Sequence, residues 1–254
     1  MYVIDFVSDD GEVLLAVEIT TSPKNLFNFP TLGSLGPPTS MKLIETSKMS
    51  TFVDSVTMHA DYMYTGLTDG LIMQTDTRCV ADTSSSTCLF AKIKGRVSSV
   101  QEYHNEIYAL SYESKMVLVY GLDKQLKRSW AHETSSNFHE KLRVFREKVV
   151  APNGSCIVVY TLEGKIVKKV KCPGMTNGFK ALAVCGDDSV ILSDYRANSV
   201  SRINIDSSEV MWTSKHVQGP RGVACYRNRY VIVVRDNSDY GISILDAITG
   251  DFYT

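Results

Sequence analysis

With 254 residues, 44% of them apolar and 22% charged, the chain is long enough for one large domain with its own core. No run approaches the roughly eighteen apolar residues of a membrane-spanning helix. The N-terminus Met-Tyr-Val-Ile-Asp-Phe has no basic region, apolar stretch or small-residue cleavage site, so no signal peptide is expected and the expected location is cytoplasmic. The net charge of −1 hides an asymmetry, because residues 92–180 hold sixteen basic and eight acidic side chains while residues 1–91 hold four and eleven. A positive surface for an anionic partner, or a solvated outer rim at Lys165, Lys168, Lys169 and Lys171, would each account for it.

The first predicted element is a β-hairpin within residues 1–21, running Tyr2 to Val7, turning at Ser8-Asp-Asp-Gly11 and returning through Val13 to Ile19. It either closes a propeller ring by pairing with the other end of the chain or belongs to something upstream. Residues 22–50 carry Pro23, Pro30, Pro37 and Pro38 with Gly33 and Gly36, which reads as an irregular linker or long loop.

From residue 51 to 254 a unit of about forty residues recurs five times. Val53-Asp-Ser-Val56 and Tyr62-Met-Tyr64 return as Val97-Ser-Ser-Val100 and Ile107-Tyr108, and in both copies the tyrosine lies eight residues past the last valine. The third copy has Leu142-Arg-Val144, Val149-Val150 and Ile157 to Tyr160, and the fourth Leu182 to Val184, Val190 to Leu192 and Val200 to Ile203. The fifth has Gly222 to Ala224, Tyr230 to Val234 and Ile242 to Leu245. Short apolar runs bounded by Asp69-Gly70, Glu163-Gly164 and Thr249-Gly250 are strands joined by hairpins, and no stretch shows a helical stripe. The expected fold is an all-β propeller, six-bladed if the N-terminal hairpin completes the ring.

None of the six cysteines is two residues from another, which removes zinc-ribbon and redox pairs. Cys156, Cys185 and Cys225 sit in or beside apolar runs and are expected to be buried thiols. Cys79 and Cys88 flank a polar loop and could pair in an oxidising compartment. Asn153-Gly-Ser155 is expected to be a turn.

Pro220-Arg-Gly-Val-Ala224, Tyr230 to Ser238, Ile242 to Asp246 and Gly250 together resemble an NHL repeat, and the fourth unit shares the Leu182-Ala-Val opening, Ser193-Asp194 and Asn198 to Ile203. With Phe27-Asn-Phe-Pro-Thr-Leu-Gly33 ahead of the repeats, the chain is similar to the C-terminal propeller of a TRIM-NHL protein. It lacks the close Cys/His pairs of RING and B-box modules, so no ubiquitin-ligase activity is expected. The resemblance implies protein partners and, in some members, single-stranded RNA on a basic face. Stacking on bases needs cations among aromatics, and the candidates are Tyr103, His104, Arg143, Phe145, Arg146, Lys148, Arg221, Tyr226, Arg227, Arg229 and Tyr230. Strand alternation sends Arg143 and Phe145 to one side.

The alternative is a lactonase-like hydrolase with an axial metal. Its carboxylates would have to converge from several blades, yet Asp54 aligns with Ser98 and Asp194 with Ser111. His59, His104, His132, His139 and His216 show no paired ligand spacing, and no nucleophile elbow or phosphate loop is present. The expectation is a non-enzymatic binding scaffold with no cofactor, no metal site and no membrane partner.

Overall fold

The computed structural model describes residues 2–7, 13–19 and 40–45 as strands, and residues 53–76, 87–133, 141–154, 156–172, 176, 179–235 and 241–252 in full. Every regular element among the described residues is a β-strand. Blade 1 is β4 (Val53–His59), β5 (Tyr62–Leu67), β6 (Leu71–Asp76) and β7 (Thr87–Lys92), after the N-terminal strands β1 (Tyr2–Val7), β2 (Val13–Ile19) and β3 (Ser40–Glu45). Blade 2 is β8 (Val97–Tyr103), β9 (Glu106–Ser111), β10 (Met116–Gly121) and β11 (Leu126–Ala131). Blade 3 is β12 (Arg143–Phe145), β13 (Lys148–Asn153), β14 (Cys156–Thr161) and β15 (Ile166–Lys171). Blade 4 is β16 (Phe179–Cys185), β17 (Ser189–Asp194), β18 (Ser199–Asn204) and β19 (Val210–Ser214). Blade 5 is β20 (Pro220–Tyr226), β21 (Tyr230–Arg235) and β22 (Gly241–Asp246), and Phe252 bridges Leu245 where the other blades place a fourth strand.

Each blade is an antiparallel meander in chain order, as the five repeats predict. Second strands are apolar and nearly continuously buried (Val190, Ile191 and Leu192 of β17; Ile107 to Leu110 of β9), because both of their faces are covered. Fourth strands are wetter: in β11 every residue is exposed or half-buried, and β15 carries Lys168, Lys169 and Lys171. Lys169 pairs with Glu133 on that rim.

Five blades are present among the described residues, and a sixth is not clearly formed. β1 pairs with β2 on one side and with β3 on the other. The N-terminal strands therefore form a three-stranded sheet in the order β2-β1-β3, which is not the meander of the repeat. β3 lies within the segment read as a linker. Neither its proline-rich surroundings nor its own residues announce a partner some forty positions upstream.

The chain divides into two compact units. One comprises residues 49–170, with blades 1 to 3, and the other residues 1–48 and 171–254, with the N-terminal sheet and blades 4 and 5. In the first, β4 runs beside β8 and β8 beside β12; in the second, β20 has β16 and β2 as neighbours. The cores lie between blades. Tyr64, Ile72, Phe90, Val97 and Ile107 fill the space between blades 1 and 2, with the Tyr64 and Phe90 rings edge to face at 5.0 Å. Tyr108, Val117, Leu142, Val149 and Tyr160 fill that between blades 2 and 3. Ile191, Val200, Trp212, Val223 and Leu245 do so between blades 4 and 5.

First strands of successive blades are joined by side chains. Ser55 Oγ accepts the Val100 N–H at 2.9 Å and Ser99 Oγ accepts the Leu142 N–H at 3.1 Å. Gln101 Nε2 donates to the Val144 carbonyl at 3.0 Å while its Oε1 accepts the Val144 N–H at 2.8 Å. These groups satisfy backbone that would otherwise be buried without partners. Farther out, Arg128 donates to the Leu162 carbonyl at 2.8 Å and Trp212 Nε1 to that of Ala247 at 2.9 Å, each reaching the outer hairpin of the following blade.

Two cysteines correct the expectation of buried thiols. Cys185 of β16 and Cys225 of β20 form a disulfide with Cα atoms 5.4 Å apart. They sit near the ends of neighbouring first strands, so the forty-residue repeat itself brings them together. Cys156 is half-buried rather than buried, and Cys88 is an exposed free thiol. A Cys79–Cys88 pair lies outside the described residues. The Asn153 turn is present, with Asn153 paired to Cys156 across it.

Candidate interaction surface

The turns joining first to second strands, together with the strand ends that flank them, hold most of the sequence candidates. His104–Asn105 and Arg146–Glu147 are two-residue turns with φ of 51°, 62°, 48° and 56°, and Arg227 and Asn228 have φ of 49° and 53°. Such turns match the twist of a hairpin, but outside Gly and Asn the left-handed region carries strain. In the unit of blades 1 to 3, Tyr103, His104 and Glu147 form one cluster. The Tyr103 hydroxyl donates to Glu147 Oε1 at 2.9 Å and accepts the Glu147 N–H at 3.2 Å. His104 stacks on the Tyr103 ring at 4.1 Å and lies 3.5 Å from the same carboxylate. Partial burial, with the neighbouring carboxylate adding to it, pushes the Tyr103 hydroxyl above its ordinary pKa. Arg146 is exposed and Lys148 half-buried on this turn.

Arg143 and Phe145 are both half-buried around a buried Val144, in keeping with the alternation predicted from sequence. Burial pushes the Arg143 guanidinium down to about 10, and its Nη1 donates to the Leu142 carbonyl at 2.9 Å. Just ahead of the same strand, Lys141 donates to the Asp54 and Ser98 carbonyls, tying the approach to β12 to β4 and β8. Arg96 grips the Asp54 carboxylate through Nε and Nη2.

In the other unit, Tyr226 and Tyr230 face each other across their hairpin with centroids 6.4 Å apart. Both rings are buried, at 9% and 7% exposure. Exposed Arg227 and Arg229 lie over them at 5.0 and 5.3 Å. Paired positions in an antiparallel sheet share a face, and here the two arginines lie over the rings on it. Arg221 stands at the opposite end of β20 and does not join this cluster.

There it meets a residue the sequence reading passed over. Tyr195, in the β17–β18 turn and 36% exposed, has Lys180 Nζ at 5.8 Å and the Arg221 guanidinium carbon at 6.0 Å from its ring centre, with exposed Arg196 next in the chain. A lone tyrosine after Ser-Asp carries no periodic signal. Only the juxtaposition of β16, β17 and β20 reveals it.

The acidic and histidine side chains serve the framework. Asp194 is buried and accepts from Thr176 N–H and Oγ1 at 2.6 and 2.8 Å and from the Arg196 and Ala197 N–H groups. His59 faces Glu102 at 3.1 Å, and buried His132 lies between the Tyr160 hydroxyl and the Pro152 carbonyl. His139 lies outside the described residues. Among the described residues no three metal-ligating side chains cluster, and no helix is long and apolar enough to cross a membrane.

No family model matches the chain, and no curated protein matches it. Among solved structures, the WD40 β-propeller domain of Doa1 superposes with a TM-score of 0.67 over 85% of this chain and 71% of that one, at 16% identity. The fold is a β-propeller. A chain of the mitotic checkpoint complex agrees, with a TM-score of 0.64 over 85% and 68% at 13% identity. At such identities the likeness is one of fold alone.

Proposed function

We propose that this propeller is a non-enzymatic scaffold that binds protein partners through turns at the ends of its blades. The carrying observation is the WD40-type fold combined with the use made of its polar groups. Within each unit Ser55, Ser99, Gln101, Arg128 and Trp212 bind one blade to the next, and Asp194 fixes a turn, so these polar groups are committed to the framework and the turns are left to contact other molecules. One of the neighbouring structures is a chain of the mitotic checkpoint complex. An NHL-type identity rests on the residues of the last two repeats alone. RNA stacking on Tyr226 and Tyr230 would require those buried rings to open.

The test is affinity capture with the purified full chain, followed by reconstitution with each captured protein and titration calorimetry. A stoichiometric complex that re-forms from two purified components is the expected result. Metal-dependent turnover of a lactone or ester panel, with no reconstitutable partner, would replace the scaffold reading with a hydrolase.

A further inference from the structure

We infer that the open outer edge of blade 5, at the start of β22, receives an extended strand of a partner protein that carries a carboxylate opposite Gly241. The inference rests on the scaffold reading and adds a strand edge to the turns as a place of contact.

Blades 1 to 4 each end in a fourth strand: β7, β11, β15 and β19. In blade 4 the pairing of third with fourth strand runs from Ile203 with Val210, through Arg202 with Trp212 and Ser201 with Thr213, to Val200 with Ser214. Blade 5 begins the same way. The Asp246 N–H donates to the Asp251 carbonyl at 2.8 Å, and Leu245 bridges Phe252. Among the described residues the pairing stops there, and Gly241 and Ile242 have no strand on their outer side. Both are half-buried, whereas their counterparts in blade 4, Ser199 and Val200, are buried. Main-chain groups alternate in direction along a strand, so Ile242 and Ile244 turn theirs outward with Asp246. Such an edge takes up another strand through main-chain hydrogen bonds. Proteins guard exposed edges with lysine or proline, and Gly241-Ile-Ser-Ile244 has neither.

The same end of the blade carries an unanswered cation. Arg235, the last residue of β21, pairs with Gly241 across the sheet. Its Nε is buried without an acceptor, and the side chain makes no hydrogen bond or ion pair among the described residues. The guanidinium lies across the glycine, since a Cβ on Gly241 would fall 2.6 Å from Nη2 and 3.5 Å from Cζ. Gly241 does not have the left-handed φ of the turn glycines. What its missing side chain provides is a path for the guanidinium from β21 across β22 towards the open edge.

A partly buried guanidinium without an anion is costly, and a carboxylate makes strong, oriented, charge-assisted bonds with it. Opposite residues of an antiparallel pair share a face, with Cβ atoms about 5 Å apart. An aspartate or glutamate opposite Gly241 therefore enters the space beside the guanidinium while its own main chain continues along Ile242. Edge and cation specify the occupant together. The edge asks for extended polypeptide, which excludes a helix and a nucleic acid, and the arginine asks for an acidic residue at one position.

Fluorescence anisotropy with the full chain tests this. The probes are labelled degenerate peptides of alternating β-branched and polar residues with one central Glu, the same set with Gln, and the Glu set N-methylated along its main chain. The Glu peptides should bind, more weakly as salt rises, the Gln peptides about tenfold more weakly, and the N-methylated set not at all. Arg235→Gln should weaken the Glu peptides about tenfold and leave the Gln peptides within about twofold, a split that general loss of structure would not produce. Gly241→Ala displaces only the end of a flexible side chain. It should weaken the Glu peptides several-fold with little change in Tm, and so supplies the test should Arg235→Gln fail to fold. Arg229→Gln, beside the opposite end of β21, should leave binding within about twofold. Equal binding of the Gln peptides, undiminished binding of the N-methylated set, an equal loss with Arg229→Gln, or no binding at low salt would each overturn the assignment. A reconstituted protein complex that forms unchanged with Arg235→Gln would also overturn it, yet leave the scaffold reading standing.

Discussion

A Cβ placed on Gly250 would fall 2.6 Å from Cε3 of Trp212, and one on Gly164 would fall 2.3 Å from Cδ2 of Trp130. Each indole belongs to a fourth strand, and each glycine to the outer hairpin of the next blade, with φ of 78° and 86°. Two penalties therefore coincide at each position, backbone strain and a steric clash with a ring that has little room to move. Gly164→Ala and Gly250→Ala should each destabilise the chain by about 2–4 kcal/mol, read as a lowered midpoint in urea with an unchanged slope.

Gln101→Leu removes both bonds to Val144 and leaves an N–H and a carbonyl at a buried position without their partner. The expected cost is about 2–3 kcal/mol, and Ser99→Ala, at the analogous junction with Leu142, should cost about 1–2 kcal/mol. Chemical denaturation of both single variants and the double variant measures this. A cost for the double variant below the sum would mean the two bonds are coupled.

Arg128 clamps Glu106 at 2.9 and 2.6 Å and donates to the Tyr108 hydroxyl at 2.7 Å. The guanidinium holds the Glu106 carboxyl below its usual range. A depressed carboxyl contributes stability that is present above the unfolded value of about 4.3 and is lost as pH falls through the lower folded value. Stability of the wild type should therefore drop below about pH 4 more steeply than that of Glu106→Gln. Burial also raises the hydroxyls of Tyr64, Tyr108 and Tyr120, so stability should fall again above about pH 10, where the unfolded tyrosines ionise first.

The Cys185–Cys225 bond closes a loop with a sequence separation of 40. Intact mass before and after reduction should show two thiols gained. Cys185→Ser should lower stability by about 3–4 kcal/mol, the scale of chain entropy for a loop of that size. Melting curves that do not change on adding reductant would mean that the bond contributes nothing to stability.

Arg143 keeps a guanidinium whose pKa is pushed down to about 10 by burial. A folded value below the unfolded one marks a charge that opposes folding at neutral pH, a penalty relieved as pH rises through the folded value. Because the side chain is half-buried, water offsets part of that cost. Arg143→Met should therefore be neutral or stabilising by about 1 kcal/mol at pH 7, measured by thermal melting.

The five blades could be read from the sequence because their signals are local. Tyr64 and Tyr108 recur at one spacing, and Asp69-Gly70 and Glu163-Gly164 mark turns where the structure has them. β3 could not be read, since its pairing with β1 depends on contacts across a long segment that no periodicity reports. Tyr226 and Tyr230 looked like stacking surfaces because their chemistry is right. That Arg227 and Arg229 lie over both rings is a matter of register, and register emerges only when β20 and β21 are set against each other. The disulfide was readable in retrospect, since the separation of Cys185 and Cys225 equals the repeat and places them side by side.

Ser55, Ser99 and Gln101 grip the next blade by its main chain, at Val100, Leu142 and Val144. Such a grip is indifferent to which side chain the gripped residue carries. One blade can therefore change most of its residues without loosening its neighbour's hold, provided its strand keeps its path. Repeats joined this way are free to differ in sequence while the architecture stays put.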